Sequence, residues 1–316
     1  MHFSFELKRL FSSPLSQPNL NRKMSNQSNN NTPGRYADIL LDDWFKRSFK
    51  EYGDAKRLML LFLQALIPEM DIQSIEYTPE ESTNQNPDKK GIRVDVECID
   101  KNGDRFVVEV QRADQTDFYD RAVFNSTFSI QRQLKENPGT YRFRPVCFIG
   151  IMRFTLHPTS DKFFYHYQLK ECETGETMTD DLHYYYLEVT KCSPNPEGSL
   201  VEKVGYALNH MSEFKERPKG FEGEFFDLLF NSAEINNFAP EEKIKYHNDM
   251  TTERDIQNQI AYAEQKGLEK GFEQGVEQTL ESTAKKMLAL GLSDDVVVKA
   301  TGLSGERIAQ LKEDNK

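Results

Sequence analysis

The stretch IRVDVECIDKNGDRFVVEVQ, Ile92 to Gln111, constrains the fold more than any other. Two runs rich in Val, Ile, Cys and Phe flank Asn102-Gly103, a dipeptide that marks a tight hairpin turn. Asp95, Glu97 and Glu109 interrupt those apolar runs. Strand side chains alternate between faces, so the register of the turn decides whether the acids meet. A two-residue loop at Asn102-Gly103 sets Asp95 against Val110 and sends Asp95 and Glu109 to opposite faces. A three-residue loop, Lys101-Asn102-Gly103, puts Gly103 in the left-handed position of a G1 bulge. Asp100 then opposes Asp104, and Asp95 lies directly opposite Glu109.

The second register is the better one physically. It collects Val94, Val96, Cys98, Phe106, Val108 and Val110 on one apolar face, and Arg93, Asp95, Glu97, Glu109 and Gln111 on the other. The first register mixes charge into both faces. Directly opposed carboxylates, with Cβ atoms about 4.5–5.5 Å apart, repel unless one is protonated or a cation lies between them. Their hard oxygens suit Mg²⁺ or Mn²⁺. The same pattern also fits a half-exposed hairpin with a polar face turned to solvent.

Around the hairpin, apolar spacing predicts a helix over 36–52 through Leu40, Leu41, Trp44, Phe45 and Phe49. A second helix, 54–67, carries LMLLFLQALI, is apolar nearly all round and ends at Pro68. A strand over 72–77, a polar loop 78–91, the hairpin, a helix over 116–136 and strands near 145–152, 163–169 and 182–189 follow. Helical patterns then cover 199–213, 222–231 and a long stretch from Pro240. This order implies an α/β fold, a mixed sheet flanked by helices, with a helical C-terminal appendage.

The four parts expected are an unstructured Ser/Asn/Pro-rich segment 1–34, a main domain 35–235, a long helix or linker 236–280 and a small helical module 281–316. Met24 offers an alternative start within the first part. The net charge of −11 disfavours a polyanion partner on bulk charge. Residues 35–150, however, carry 17 Lys and Arg against 20 Asp and Glu, so most of the excess acid lies elsewhere. The four cysteines have no CxxC or zinc spacing and read as free buried thiols. With no apolar run long enough for a membrane span and no signal-peptide core, the expected location is cytoplasmic.

Asp95, thirteen residues, then Glu109-Val110-Gln111, on a hairpin after two helices and a strand, resembles the PD-(D/E)XK nuclease core. More narrowly the chain resembles the Rpn family of recombination-promoting nucleases, also described as PD-(D/E)XK family transposases. Asp42-x-x-Phe45-Lys46-x-x-Phe49, LLFLQALIP (60–68), VEVQ (108–111), PVCFIGIM (145–152) and LFNSAEINNFAPEEKIKY (229–246) carry the likeness. It implies a restriction-endonuclease-like fold and metal-dependent cleavage of DNA, with duplex DNA as the expected partner. Asp95 and Glu109 would hold Mg²⁺ (Mn²⁺ in its place), with the Val110 carbonyl and Asp42 as further ligands. Gln111 stands where the family name has lysine. A glutamine cannot act as a general base, but it can hydrogen-bond water or phosphate. Lys46, Arg112, Arg121, Gln131 and Gln133 are the expected DNA contacts. Asp42 and Lys46 read equally as solvated helix residues, and Gln131 and Gln133 as a polar helix face. The other functional readings are a nuclease fold that binds or assembles without cutting, and a nuclease directed at RNA.

Gly267, Gly271 and Gly275 repeat every fourth residue within EQKGLEKGFEQGVEQ. Each interior glycine costs a helix about 1 kcal/mol relative to alanine. The stripe reads either as a close helix–helix contact in a homo-oligomer or as a low-complexity linker helix. Residues 287–311 have the layout of a small helix-turn-helix, with breaks at Gly291 and Thr301-Gly302 and caps at Ser293 and Ser304. Its last helix is poor in basic residues, which favours a packing or protein-contact role over groove reading.

Overall fold

The computed structural model describes residues 34–79, 94–113 and 117–313, and of Asp42 the backbone alone. The proposed N-terminal segment and the polar loop after 77 therefore lie almost entirely outside the described residues. The chain divides into two units, one ending at Asn237 and one beginning at Phe238.

The first unit is built on a six-stranded sheet in the order β1-β2-β3-β4-β6-β5. Its strands are β1 (Ile75–Tyr77), β2 (Val96–Asp100), β3 (Arg105–Gln111), β4 (Val146–Met152), β5 (Phe164–Gln168) and β6 (Leu182–Glu188). β1, β2 and β3 form an antiparallel meander, β3, β4 and β6 run parallel, and β5 returns antiparallel along the β6 edge. The helices are α1 (Asp42–Lys46), α2 (Ala55–Leu66), α3 (Phe118–Glu136), α4 (Leu200–His210) and α5 (Glu224–Ala233).

One sheet face packs Val96, Cys98, Phe106, Val108 and Val110 against α2, α4 and α5. The other packs Val107 and Phe148 against Phe118 and Ala122 of α3. The charged face of the hairpin is thus covered by a helix and is not the solvent face that the pattern also allowed. Gly150 sets how low α3 sits: a Cβ there would lie 2.9 Å from both the Phe118 and Tyr186 rings. Glycine is therefore what lets the first turn of α3 settle onto β4.

Three elements differ from expectation. The first helix begins at Asp42, because residues 35–37 run extended against the end of α5: Ala37 N donates to Ala233 O at 2.8 Å and Ile235 N to Arg35 O at 3.0 Å. The helix then widens into a π-helical turn over Arg47–Glu51, closed by Tyr52 N to Arg47 O at 2.8 Å. β1 is only three residues long. Cys98, Cys147 and Cys192 are buried, but Cys172 is exposed in the loop after β5. Burial pushes the Cys192 thiol up to about 12, so it stays protonated at neutral pH.

The second unit has a 50-residue helix α6 (Pro240–Ala289), followed by α7 (Asp294–Thr301) and α8 (Gly305–Glu313). Ala284, Val297, Ile308 and Leu311 form its small core. Ser304 Oγ accepts from Arg307 N at 3.2 Å, as a cap should, whereas Ser293 makes no side-chain cap bond. Gly291 and Gly302 take the left-handed conformation at the two helix ends. Among the described residues no helix is long and apolar enough to cross a membrane.

Candidate active site

The hairpin turn is the three-residue one. Gly103 has φ +88°, and Gly103 N donates to Asp100 O at 3.1 Å. Asp100 Oδ1 accepts from Asn102 N and Asp104 N at 2.8 and 2.9 Å. The ladder then pairs Cys98 with Phe106 and Val96 with Val108. The ladder ends at Val96–Val108, one residue before the position where the same register, if continued, would set Asp95 opposite Glu109.

At Asp95 the chain leaves the ladder in a bend. Val94 consequently packs with the α3-side cluster, not with Val96 as the alternation predicted. The Asp95 carboxylate takes the place of the missing strand and accepts from Val110 N at 2.7 Å. Gln111 O accepts from Arg153 N on the β4 side, so strand alternation turns the Val110 carbonyl the other way, toward the end of β2. Lys46 Nζ at the end of α1 lies 3.9 Å from Asp95 Oδ1.

Glu109 points under α3. Arg121 Nη2 donates to Oε1 at 2.6 Å and Asn125 Nδ2 to Oε2 at 2.8 Å. Two residues back on the same face, Glu97 accepts from Ser129 Oγ at 2.8 Å, from Arg132 Nη1 at 2.7 Å and from Thr78 Oγ1 at 3.1 Å. Arg105 Nη1 lies 3.5 Å from Glu97 and its Nη2 bonds Glu136 at 2.9 Å. α3 therefore lays a polar stripe (Arg121, Asn125, Ser129, Arg132, Glu136) along the sheet acids. Its signal in the sequence is polar residues three or four apart beside the apolar Phe118 and Ala122. Asn125, Ser129 and Glu97 in this role were missed, as was Asp38, whose carboxylate Arg153 grips at 2.6 and 2.7 Å.

Lys46, Asp95, Val110, Glu109 and Arg121 are thus brought together at one strand end. Gln111 is buried beside them and donates to Ala113 O at 3.4 Å. Arg112 follows it, half-buried. Asp42 opens α1, with its side chain outside the description. Two expected DNA contacts lie elsewhere. Gln131 is exposed further along α3. Gln133 is buried, and its amide grips the Arg144 backbone from both ends, at 3.1 Å to the carbonyl and 2.7 Å from the N–H. That makes it a buried clamp on the loop between α3 and β4.

Residues 40–263 match the family described as PD-(D/E)XK nuclease family transposase. The chain belongs to that family. In this PD-(D/E)XK chain, residues 282–313 match the C-terminal HTH domain of the Rpn/YhgA-like nuclease family, which spans the end of α6 together with α7 and α8. No match is found among curated proteins or solved structures. The sheet and its flanking helices are those of a restriction-endonuclease-like fold. Nuclease and HTH regions together point to DNA as the partner. Within the HTH region the basic side chains of α8 are engaged internally, Arg307 with Glu281 at 2.6 Å and Lys312 with Asp294.

PD-(D/E)XK nucleases commonly use divalent metals. Among the described residues no group of three or more His, Cys, Asp and Glu could hold one. The donors at the strand end are two carboxylates and a main-chain carbonyl. That set fits Mg²⁺, which is usually held by one or two carboxylates and keeps several of its waters.

Proposed function

We propose that this PD-(D/E)XK protein is a divalent-metal-dependent endonuclease that hydrolyses DNA phosphodiester bonds in recombination or transposition. Asp95, Glu109 and the Val110 carbonyl would hold Mg²⁺, or Mn²⁺ in its place. The observation that supports this most is the Asp95 carboxylate bonded to Val110 N, next to Glu109 in the chain, where β2 ends. A cation held by these groups would supply polarisation of a phosphate oxygen and activation of a water for in-line attack. Lys46 and Arg121 supply positive charge against the phosphate, and Arg112 lies where the backbone can continue along the protein. Gln111 hydrogen-bonds the water or a phosphate oxygen and moves no proton. Asp42, one helical turn from Lys46, is a further ligand in this reading.

The test is nicking of a supercoiled plasmid by the full chain in Mg²⁺ and in EDTA. Cutting in Mg²⁺ alone, lost in Asp95→Ala and Glu109→Ala with unchanged circular dichroism, is the expected result. Cutting that survives both substitutions rejects the site, and labelled DNA and RNA strands in competition identify the nucleic acid. One observation favours a second reading, a nuclease fold that binds without cutting: both Glu109 oxygens are already bonded, to Arg121 and Asn125. Absence of cutting with intact DNA binding would establish it.

The same reading includes a homo-oligomer formed through the C-terminal helices. Ile256, Ile260, Leu268 and Phe272 are exposed on α6 beside the glycine stripe, and a Cβ at Gly267, Gly271 or Gly275 would meet nothing. Light scattering on the full chain tests it.

A further inference from the structure

A second cluster, unused by the chemistry above, lies on the α3 side of the sheet beyond β4. Glu188, the last residue of β6, is completely buried, with Lys191 Nζ 2.8 Å from Oε2. Its Oε1 lies 2.5 Å from His157 Nδ1. The other ring nitrogen, His157 Nε2, meets the hydroxyls of Tyr119 and Tyr167 at 3.1 and 2.8 Å. Tyr165 stacks on the imidazole with centroids 3.9 Å apart, and Lys162 Nζ sits 4.9 Å over the Tyr165 ring. Tyr119 and Tyr167 meet edge to face at 6.2 Å and remain 43% and 37% exposed.

Burying a carboxylate is costly even when it is paired. Here the buried pair fixes two half-exposed tyrosine rings, which an ordinary surface does not require. Burial, with the hydrogen bond to Tyr167, holds the Tyr119 hydroxyl well above the usual tyrosine range, so the phenol keeps its proton. What the ledge offers a ligand is therefore ring surface beside the Lys162 charge, and no nucleophile.

Position gives the ledge its ligand. Glu109 lies near the carboxyl end of β3 and Glu188 at the carboxyl end of the parallel β6, with the first turns of α3 carrying both Tyr119 and Arg121. From β3 the order runs β4, β6, β5, and three steps of about 4.8 Å put the ledge roughly 14 Å from the strand that carries Glu109. A nucleic-acid strand held at the carboxylates reaches the ledge within a few nucleotides. Bases inside a duplex are stacked on one another and offer no face, whereas unpaired bases stack on aromatic rings whatever their sequence.

We infer that Tyr119 and Tyr167 form a stacking ledge for unpaired bases, so that the substrate class is DNA with a single-stranded segment beside the scissile phosphate. This rests on the nuclease reading and narrows it. The test uses the full chain in EDTA, without turnover, and two fluorescent duplexes, one continuous and one with a short single-stranded gap carrying 2-aminopurine. The gapped duplex should bind about tenfold tighter, as expected of one stacked base, and 2-aminopurine emission should fall on binding. Tyr119→Ala with Tyr167→Ala should bring the affinity ratio close to one, while Tyr119→Phe with Tyr167→Phe should keep it, since the rings remain. Equal affinities in the unsubstituted protein, or a ratio untouched by the alanines, overturns the ledge; so does a ratio lost equally in the phenylalanine pair. Should the alanine pair not fold, the emission of 2-aminopurine on the unsubstituted protein decides, and unchanged emission overturns the inference. None of these results alters the plasmid assay, so nicking with no gap preference rejects the ledge alone, and gap preference without nicking rejects the nuclease alone.

Discussion

Glu97 and Glu109 lie on one face of one hairpin, under one helix, two residues apart in register, yet their surroundings differ in kind. Glu97 is held from three sides: Thr78 beside β1, Arg105 on β3, and Ser129 with Arg132 on α3. Of its two cations, Arg105 is 3% and Arg132 21% exposed. Glu109 accepts from Arg121 and Asn125 of α3, and its cation Arg121 is 37% exposed. The difference comes from where β2 stops. At Glu97 the ladder continues on both sides, so partners reach the carboxylate from beside β1, from β3 and from α3. Opposite Glu109 the chain bends away at Asp95, and a second carboxylate, a main-chain carbonyl and a lysine gather at the gap. The same residue types thus make a many-sided ion-pair network in one place and, in the other, a buried carboxylate whose cation reaches solvent beside a second carboxylate.

That contrast can be broken. Glu109→Gln should lower plasmid nicking by on the order of a thousandfold, with a smaller loss of stability than at Glu97 because its cation Arg121 reaches solvent. Glu97→Ala should do the reverse: it removes the carboxylate that Arg132, Ser129 and Arg105 share, leaves Arg105 with Glu136, and costs about 3–5 kcal/mol of stability, read by urea denaturation, with activity following only the folded fraction. Similar behaviour of the two variants in both assays would erase the distinction. Gly150→Ala drives a Cβ to within 2.9 Å of the Phe118 and Tyr186 rings. Lifting α3 in this way should cost about 1–3 kcal/mol and loosen the Arg121 and Asn125 bonds to Glu109 together, which paired denaturation and nicking measurements would detect. Arg121→Met sharpens the comparison from the electrostatic side. With the competing cation gone, Mn²⁺ affinity by calorimetry should rise about tenfold, whereas Arg132→Met beside Glu97 should leave it unchanged. The smallest effect is expected far from the hairpin. Gly271→Ala should stabilise α6 by about 1 kcal/mol, and a drop in oligomer mass in its place would reveal a partner helix on the stripe.

Much of the site was legible because strand alternation and turn chemistry are local. Asp100, Asn102 and Gly103 specify a three-residue turn, and counting outward from it opposes Asp95 and Glu109 without reference to the rest of the fold. The prediction failed where the ladder stops, since Val94 was counted as though β2 continued through it. The partners of the acids were less legible. Arg121 reads as a phosphate contact and Gln133 as a polar surface residue, because a helix pattern does not reveal which strand lies beneath. The expected start of the first helix near Tyr36 failed for a similar reason: residues 35–37 pair with the end of α5, about two hundred positions away in the chain.

The sequence by itself determined the elements, the turn, the register of the hairpin and its likeness to a nuclease family, all of which depend on spacing over a few residues. Tertiary structure alone decided that the charged face would be roofed by α3, that Gly150 would let the roof sit low, and that Asn125 and Arg121 would close on Glu109. It also decided that Tyr119 and Tyr167, forty-eight positions apart in number, would share one histidine. Those outcomes need residues distant in the chain to meet, and their energies come from burying charges in pairs, which no local pattern records.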